Sequence, residues 1–270
     1  MIKLVAIDID GTLLNDKHEI TPEVHAAIHK AKAQGVKIVL CTGRPITGVQ
    51  QYLSDLELKR EGDYVITFNG AMVQDTFTKE VISHLTLDHA NIMDIYAMSR
   101  ELGLHMHFND MANLYTPNRD IGKYTVYESY LTNTPLFYTP MDEVAEDIMV
   151  SKAMFIDEEE ILAPAIAKIP ASFGEKYNLV RSSPFFLEVL NPEASKGNAV
   201  HGLAQKLGIK QSEVMCIGDQ ENDSTMIEYA GVGVAMENAI DKIKAMADFI
   251  TLSNEESGVA HAINKFVLEG

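Results

Sequence analysis

Apolar positions recur along this chain with two periods. The runs Leu4-Val5-Ala6-Ile7, Val36 to Leu40, Tyr64 to Phe68 and Val214 to Ile217 are nearly continuous and rich in β-branched residues. Runs of that length, apolar on both faces, predict strands buried in a parallel sheet. After the first of them, Val24, Ile28 and Ala31 repeat at helical steps between Thr21-Pro22 and Gly35. That predicts a helix with Thr21 as N-cap and proline at its first position. Strand, helix and strand in this order predict a parallel pair joined by a right-handed crossover. A helix is expected over roughly 46–58 and a hairpin over about 72–85. Val232 to Ala235 and Phe249 to Thr251 read as further short strands.

The character changes between 86 and 184. Asp88 to Leu102 predicts a helix closed by Gly103, His105-Met106-His107-Phe108 and Ala153 to Ile156 read as strands, and Glu158 to Ile169 reads as a helix. Mixed elements inside an alternating α/β chain predict a separate inserted α+β domain over 86–184, with 1–85 and 185–270 forming the core. Phe185 to Leu190, a strand carrying one acid, Glu188, is placed in that core. His105 and His107 share a strand face; solvent exposure or substrate contact is expected for them rather than metal ligation.

Polar residues gather where the apolar runs end. The first run is followed by Asp8-Ile9-Asp10-Gly11-Thr12. Side chains two apart on a strand point the same way, so the two acids are expected to lean toward one spot. Like charges that close repel, and a hard cation such as Mg2+ relieves them. A metal-bound aspartate is then a candidate nucleophile toward a phosphate ester; the plainer alternative is a turn with a helix cap. The second strand ends in Thr42-Gly43-Arg44, where a hydroxyl and an unhindered N–H suit a phosphate or simply cap the next helix. The third ends in Asn69-Gly70-Ala71. Ser195 reads as an N-cap, and Lys196 in the following first turn opposes the helix dipole unless an anion binds beside it. Gly218-Asp219-Gln220-Glu221-Asn222-Asp223 closes the fourth run, with Asp219 placed to join Asp8 and Asp10 in an oxygen-ligand set. Asn222 and Asp223 are candidates for capping, for holding metal-bound water or for contacting phosphate.

Composition narrows the class. The 270 residues suffice for two domains, and the net charge of −17 argues against nucleic acid and against an anionic membrane surface. Cys41 and Cys216 sit in apolar runs and read as core residues. No basic-plus-apolar leader and no membrane-length run is visible, so a cytoplasmic location is expected.

Four strand-end signals in this order, Asp8-Ile9-Asp10-Gly11-Thr12, Thr42-Gly43-Arg44, Lys196-Gly197 and Gly218-Asp219 with Asn222-Asp223, resemble the haloacid dehalogenase superfamily of phosphohydrolases. The long insert resembles the type-2 (C2B) cap of the Cof-like sugar phosphatases, as do Phe68-Asn69-Gly70-Ala71 and Leu187-Glu188-Val189. The resemblance runs over essentially the whole chain. It implies a Rossmann-like three-layer α/β core with strand order 5-4-1-2-3 and a mobile cap. It implies Asp8 as nucleophile, forming an aspartyl-phosphate, and Asp10 as general acid and base. It implies Mg2+ on the Asp8 carboxylate, the Asp10 backbone carbonyl and Asp219, and a phosphate held by Thr42, Gly43, Lys196, Asn222 and the Ile9 backbone. A small phosphorylated metabolite, a sugar phosphate foremost, is the expected substrate. A sugar phosphomutase and a phospho-aspartate switch are the alternatives. Arg44 and Glu188 are expected to pair and help position the cap. Oligomeric state is left open, a homodimer among the options.

Overall fold

In the computed structural model, which describes residues 1–269, the first apolar run forms β1 (Leu4–Ile7), all of it buried. Then come α1 (Pro22–Ala33), β2 (Lys37–Cys41), α2 (Gln50–Asp55), β3 (Tyr64–Thr67), β4 (Met72–Asp75) and β5 (Val81–His84). Thr21 caps α1 through its hydroxyl, which accepts the Val24 N–H. The helix expected over 46–58 is shorter: Ile46–Val49 is a tight 3-10 turn and α2 spans six residues. Glu57 in the left-handed region, with Leu58 N–H bonded back to Leu53 C=O at 2.8 Å, closes it.

The insert supplies α3 (His89–Leu102), β6 (His105–Asn109), β7 (Leu114–Thr116), α4 (Lys123–Thr132), β8 (Leu136–Tyr138), β9 (Lys152–Ile156), α5 (Glu159–Ile166), α6 (Ala171–Lys176), β10 (Asn178–Ser183) and β11 (Phe186–Leu190). Asp88 and Asn91 form a reciprocal capping box at the start of α3, and Gly103 ends it. The chain then gives α7 (Lys196–Lys206), β12 (Val214–Gly218), α8 (Ser224–Tyr229), β13 (Val232–Ala235), α9 (Asp241–Met246), β14 (Phe249–Ile250) and α10 (Gly258–Ile263).

The first sheet runs β14-β13-β12-β1-β2-β3-β4-β5. Its strands from β14 to β3 are parallel, and β4 turns back antiparallel on β3. Within it, β13-β12-β1-β2-β3 follow the 5-4-1-2-3 order, with β14 added outside and the β4–β5 hairpin at the other edge. Strand β1 is central, flanked on both sides, which explains why its sequence is apolar on both faces. Among the described residues no helix is long and apolar enough to cross a membrane.

The chain divides into two compact units. One comprises Met1–Gly43, Gln51–Ser83 and the residues from Ser195 onward; the other comprises Arg44–Gln50 and His84–Ala194. This differs from the expected limits of 86 and 184. Strand β11 belongs to the second unit because it pairs antiparallel with both β9 and β10. Its apolar sequence could not distinguish one sheet from the other.

The second unit's sheet runs β10-β11-β9-β6-β7-β8. One face packs Ile92, Ile95, Met106, Phe108, Phe155 and Leu187 into a core. Met154, Ile156 and Phe186 form a smaller cluster with Tyr124 and Phe185. The expectation for the histidines is corrected here. His107 is fully buried, with Thr125 Oγ1 at 3.3 Å and Met154 Sδ at 3.1 Å on its ring nitrogens. His105 is part-buried and sits 3.0 Å from Asp157. Burial, with Lys152 nearby, holds the His107 imidazole well below its usual value, so it is neutral.

Candidate active site

The site is built where β1 and β12 end side by side. The Asp8 N–H donates to Ile217 C=O at 3.0 Å, carrying the β1–β12 ladder one residue further. The chain then coils through Ile9–Leu13, with Gly11 at φ +75°. A Cβ at Gly11 would stand 2.6 Å from Asp219 Oδ2, so glycine is required both for the turn and for the approach of the aspartate. Asp8 and Asp10 do not share a strand face. Strand geometry stops at Ile7, Asp8 is buried and Asp10 is exposed. The Asp10 charge still acts on the site, adding a little to the upward push on the carboxyls of Asp8 and Asp219.

Strand β12 delivers Asp219, whose Oδ1 accepts the Thr12 hydroxyl at 2.8 Å. The next turn folds Asp223 back so that its Oδ2 accepts the N–H groups of Asp219 and Gln220 at 2.8 and 2.9 Å. Helix α7 starts at Ser195, whose hydroxyl accepts the Asn198 N–H, and Lys196 follows at once. Its Nζ lies 2.6 Å from Asp8 Oδ1 and 2.6 Å from Asp223 Oδ1, with the lysine side chain wholly buried. An ammonium in a first helical turn, unfavourable against the dipole, is thus held by two carboxylates.

The electrostatics are lopsided. Burial, then the Asp223 charge, lift the Asp8 carboxyl well above the ordinary range, against the pull of Lys196. Burial and Asp223 push Asp219 up to about 7. For Lys196 burial works downward, but Asp223 and Asp8 outweigh it and hold the ammonium above its usual value. Ligand oxygens of Asp8, Asp219 and Asp223 lie within 4.8 Å of one another. Three carboxylates against one ammonium leave the cluster short of positive charge, and hard oxygen donors fit Mg2+. The side-chain cluster includes Asp223 where the sequence suggested Asp10. Both Asp223 oxygens are occupied by Lys196 and the 219–220 turn, so it acts chiefly as a brace.

The second strand end supplies Thr42, buried, with its N–H on Ile66 C=O at 3.0 Å. Its carbonyl accepts the Asn69 N–H at 2.9 Å. Asn69 Oδ1 in turn accepts the Asn222 amide at 3.0 Å. A Cβ on Gly43 would come within 2.9 Å of the Asn69 side chain. Thr42, Gly43, Asn69 and Asn222 are therefore brought together. Cys41, one residue before this loop, is buried, and burial pushes its thiol far up, so it is no thiolate nucleophile.

Arg44 and Glu188 belong to the second unit. Arg44 donates to Gly48 C=O at 3.4 Å and its charge favours the ionised form of Glu128. Glu188 lies 3.6 Å from Lys152, which is 3.5 Å from Glu128. Reading from the sequence missed three supports. Thr12 was visible in the Asp-Gly-Thr turn but was not assigned a role. Thr225 accepts the Gly197 N–H at 3.0 Å, and Asn238 donates to Gly11 C=O at 2.8 Å; no local signal marks either.

A family model for haloacid dehalogenase-like hydrolases matches residues 5–263. The chain is 61% identical over 268 residues to the Bacillus subtilis "Putative phosphatase YxeH", covering 99% of each. Among solved structures, a haloacid dehalogenase-like hydrolase from Bacteroides thetaiotaomicron superposes with a TM-score of 0.87 at 31% identity, over 98% of this chain and 99% of that one. The HAD subclass IIB sugar phosphatase BT4131 matches with a TM-score of 0.82 at 27% identity, over 98% of both chains.

Proposed function

The chain belongs to the haloacid dehalogenase-like hydrolases and is a phosphatase, and from that premise we propose that it hydrolyses small sugar phosphates through an aspartyl-phosphate on Asp8, with Mg2+. The observation that carries this reading is the Lys196 ammonium 2.6 Å from both Asp8 and Asp223, with Asp219 in the same buried acidic cluster. The sugar class rests on the likeness to a subclass IIB sugar phosphatase.

In this mechanism an Asp8 oxygen attacks phosphorus and the ester P–O bond breaks. Asp10 protonates the departing sugar oxygen. A water molecule then attacks the phosphorus of the aspartyl-phosphate, giving its proton to Asp10, and the Asp8 O–P bond breaks, which frees Asp8 and releases inorganic phosphate. The exposure of Asp10 suits a group that exchanges protons with substrate and water, whereas buried Asp8 is shielded for attack. Lys196 holds Asp8 in place and opposes the charge that develops on the phosphoryl oxygens; preorganised charge of this kind is commonly the largest catalytic contribution. Thr42, Gly43, Asn222 and the Ile9 backbone hold the phosphoryl group. Asp8, the Asp10 carbonyl and Asp219 would hold Mg2+, which when bound neutralises charge between the carboxylates and a dianionic ester. The first unit carries this chemistry and the second acts as the cap that selects the substrate.

A panel of sugar phosphates assayed for released phosphate, with Mg2+ and again with EDTA, tests the proposal. Release that needs the metal and favours sugar esters is expected. Activity unchanged by EDTA, or confined to non-sugar esters, would overturn the metal or the sugar part respectively.

A further inference from the structure

After Thr67, three consecutive residues take left-handed backbone angles: Phe68 at φ +51°, Asn69 at +53° and Gly70 at +94°. Glycine adopts this region freely and asparagine tolerates it, but phenylalanine does so at a cost of about 1–3 kcal/mol. The surroundings hold the turn in place. Phe68 and Asn69 are buried. Asn69 N–H is tied to Thr42 C=O, and Gly70 lies so close to the Ser195 carbonyl that a Cβ there would fall 2.1 Å from it. The turn thus meets the Thr42–Gly43 loop on one side and the residue before Lys196 on another. From it, the Asn69 side chain reaches across to Asn222.

That last bond has a chemical consequence. A carboxamide has a donor end and an acceptor end, and only one of them can face a given partner. Asn69 Oδ1 takes an N–H from Asn222, so the Asn222 Oδ1 must point elsewhere, and it is buried with no hydrogen-bond partner. A phosphoryl oxygen also accepts and cannot meet that atom, so what Asn222 has left to offer a phosphoryl group is the second N–H of its amide. Turning the Asn222 amide over would bring oxygen against oxygen, unless the Asn69 amide turned with it. The orientations of the two amides are therefore coupled.

We propose that Asn69 is a positioning residue: by bonding Asn222 and bracing Gly43, it fixes which end of the Asn222 amide is presented to the bound phosphoryl group and keeps the two arms of the phosphate cradle at one spacing. This rests on the phosphatase reading above. The strained turn is the device that delivers Asn69 to that point.

The test is a double-mutant cycle between Asn69→Gly and Asn222→Ala. Glycine suits a φ of +53°, so Asn69→Gly removes the side chain without adding backbone strain. Inorganic phosphate affinity is measured by calorimetry in Mg2+, alongside kcat, KM and the melting temperature. We expect Asn69→Gly to weaken phosphate binding and raise KM by about tenfold, one hydrogen bond's worth, with little change in Tm. In the Asn222→Ala background the same change should add less than about twofold, because the partner is already gone. A lowered Tm with unchanged phosphate affinity overturns the proposal, as do effects that multiply in the double variant. Wild-type protein that neither binds phosphate nor releases it would instead defeat the phosphatase reading, so the two failures are distinguishable.

Discussion

The first unit buries Asp8, Asp219 and Asp223 around Lys196, whereas the second buries Glu128 and Glu188 around Lys152, with the Arg44 charge acting on Glu128. Both sets lie in low dielectric, where an unbalanced charge is expensive. The second set is balanced, two acids to two bases. Burial raises Glu128 but Lys152 restrains it, and Lys152 keeps its proton because Glu188 and Glu128 outweigh its own burial. The first set has one base for three acids, and Asp219 is pushed up to about 7. A balanced buried network holds a fold together; a surplus of buried like charge points to a ligand of opposite sign.

Substitutions can break this contrast. Asp8→Asn should lower kcat by more than about 10⁴-fold, since it removes the proposed nucleophile, while far-ultraviolet circular dichroism stays as in wild type. Lys196→Met should reduce kcat by about 10²–10³-fold by removing charge aimed at the phosphoryl oxygens. Its counterpart, Lys152→Met, leaves two buried glutamates against the single charge of Arg44 and should destabilise by about 3–5 kcal/mol in denaturant melts. The Mg2+-induced rise in Tm should survive Lys152→Met; loss of that rise would show that the second cluster is not merely structural. Thr12→Val removes the hydroxyl bonded to Asp219 and should weaken Mg2+ binding by about tenfold by titration calorimetry.

The smallest expected effect concerns pH. Asp219 titrates higher in the folded chain than its ordinary value of 3.8. Its protonated form therefore contributes stability that is complete below about pH 4 and lost as pH rises through about 7. Metal-free protein should lose that share between those limits. On the proposed ligand set, Mg2+ would compete with the proton for the same carboxylate, so it should raise Tm by several degrees more at pH 8 than at pH 5. An equal shift at both pH values would mean that Asp219 is not among the ligands.

Much of this was legible from the chain alone. The strands β1, β2, β3 and β12 announced themselves because their middles are buried on both faces, which demands apolar residues there; only end positions such as Lys37 and Thr67 depart from that. The caps at Thr21 and Ser195 were visible because a cap is a local bond, two or three residues in reach. Glu188 was harder. Its apolar strand could have joined either sheet, and pairing with β9 decided the matter.

The sequence by itself determined which residue types stand at the strand ends and in what order, because turn chemistry and burial act within a few residues. Only the tertiary structure decided that Lys196 bridges Asp8 and Asp223, that Thr12 steadies Asp219, and that a strained turn carries Asn69 to Asn222. Those contacts join residues 27 to 207 positions apart. Their distances depend on how strands stack and helices pack, which no local pattern encodes.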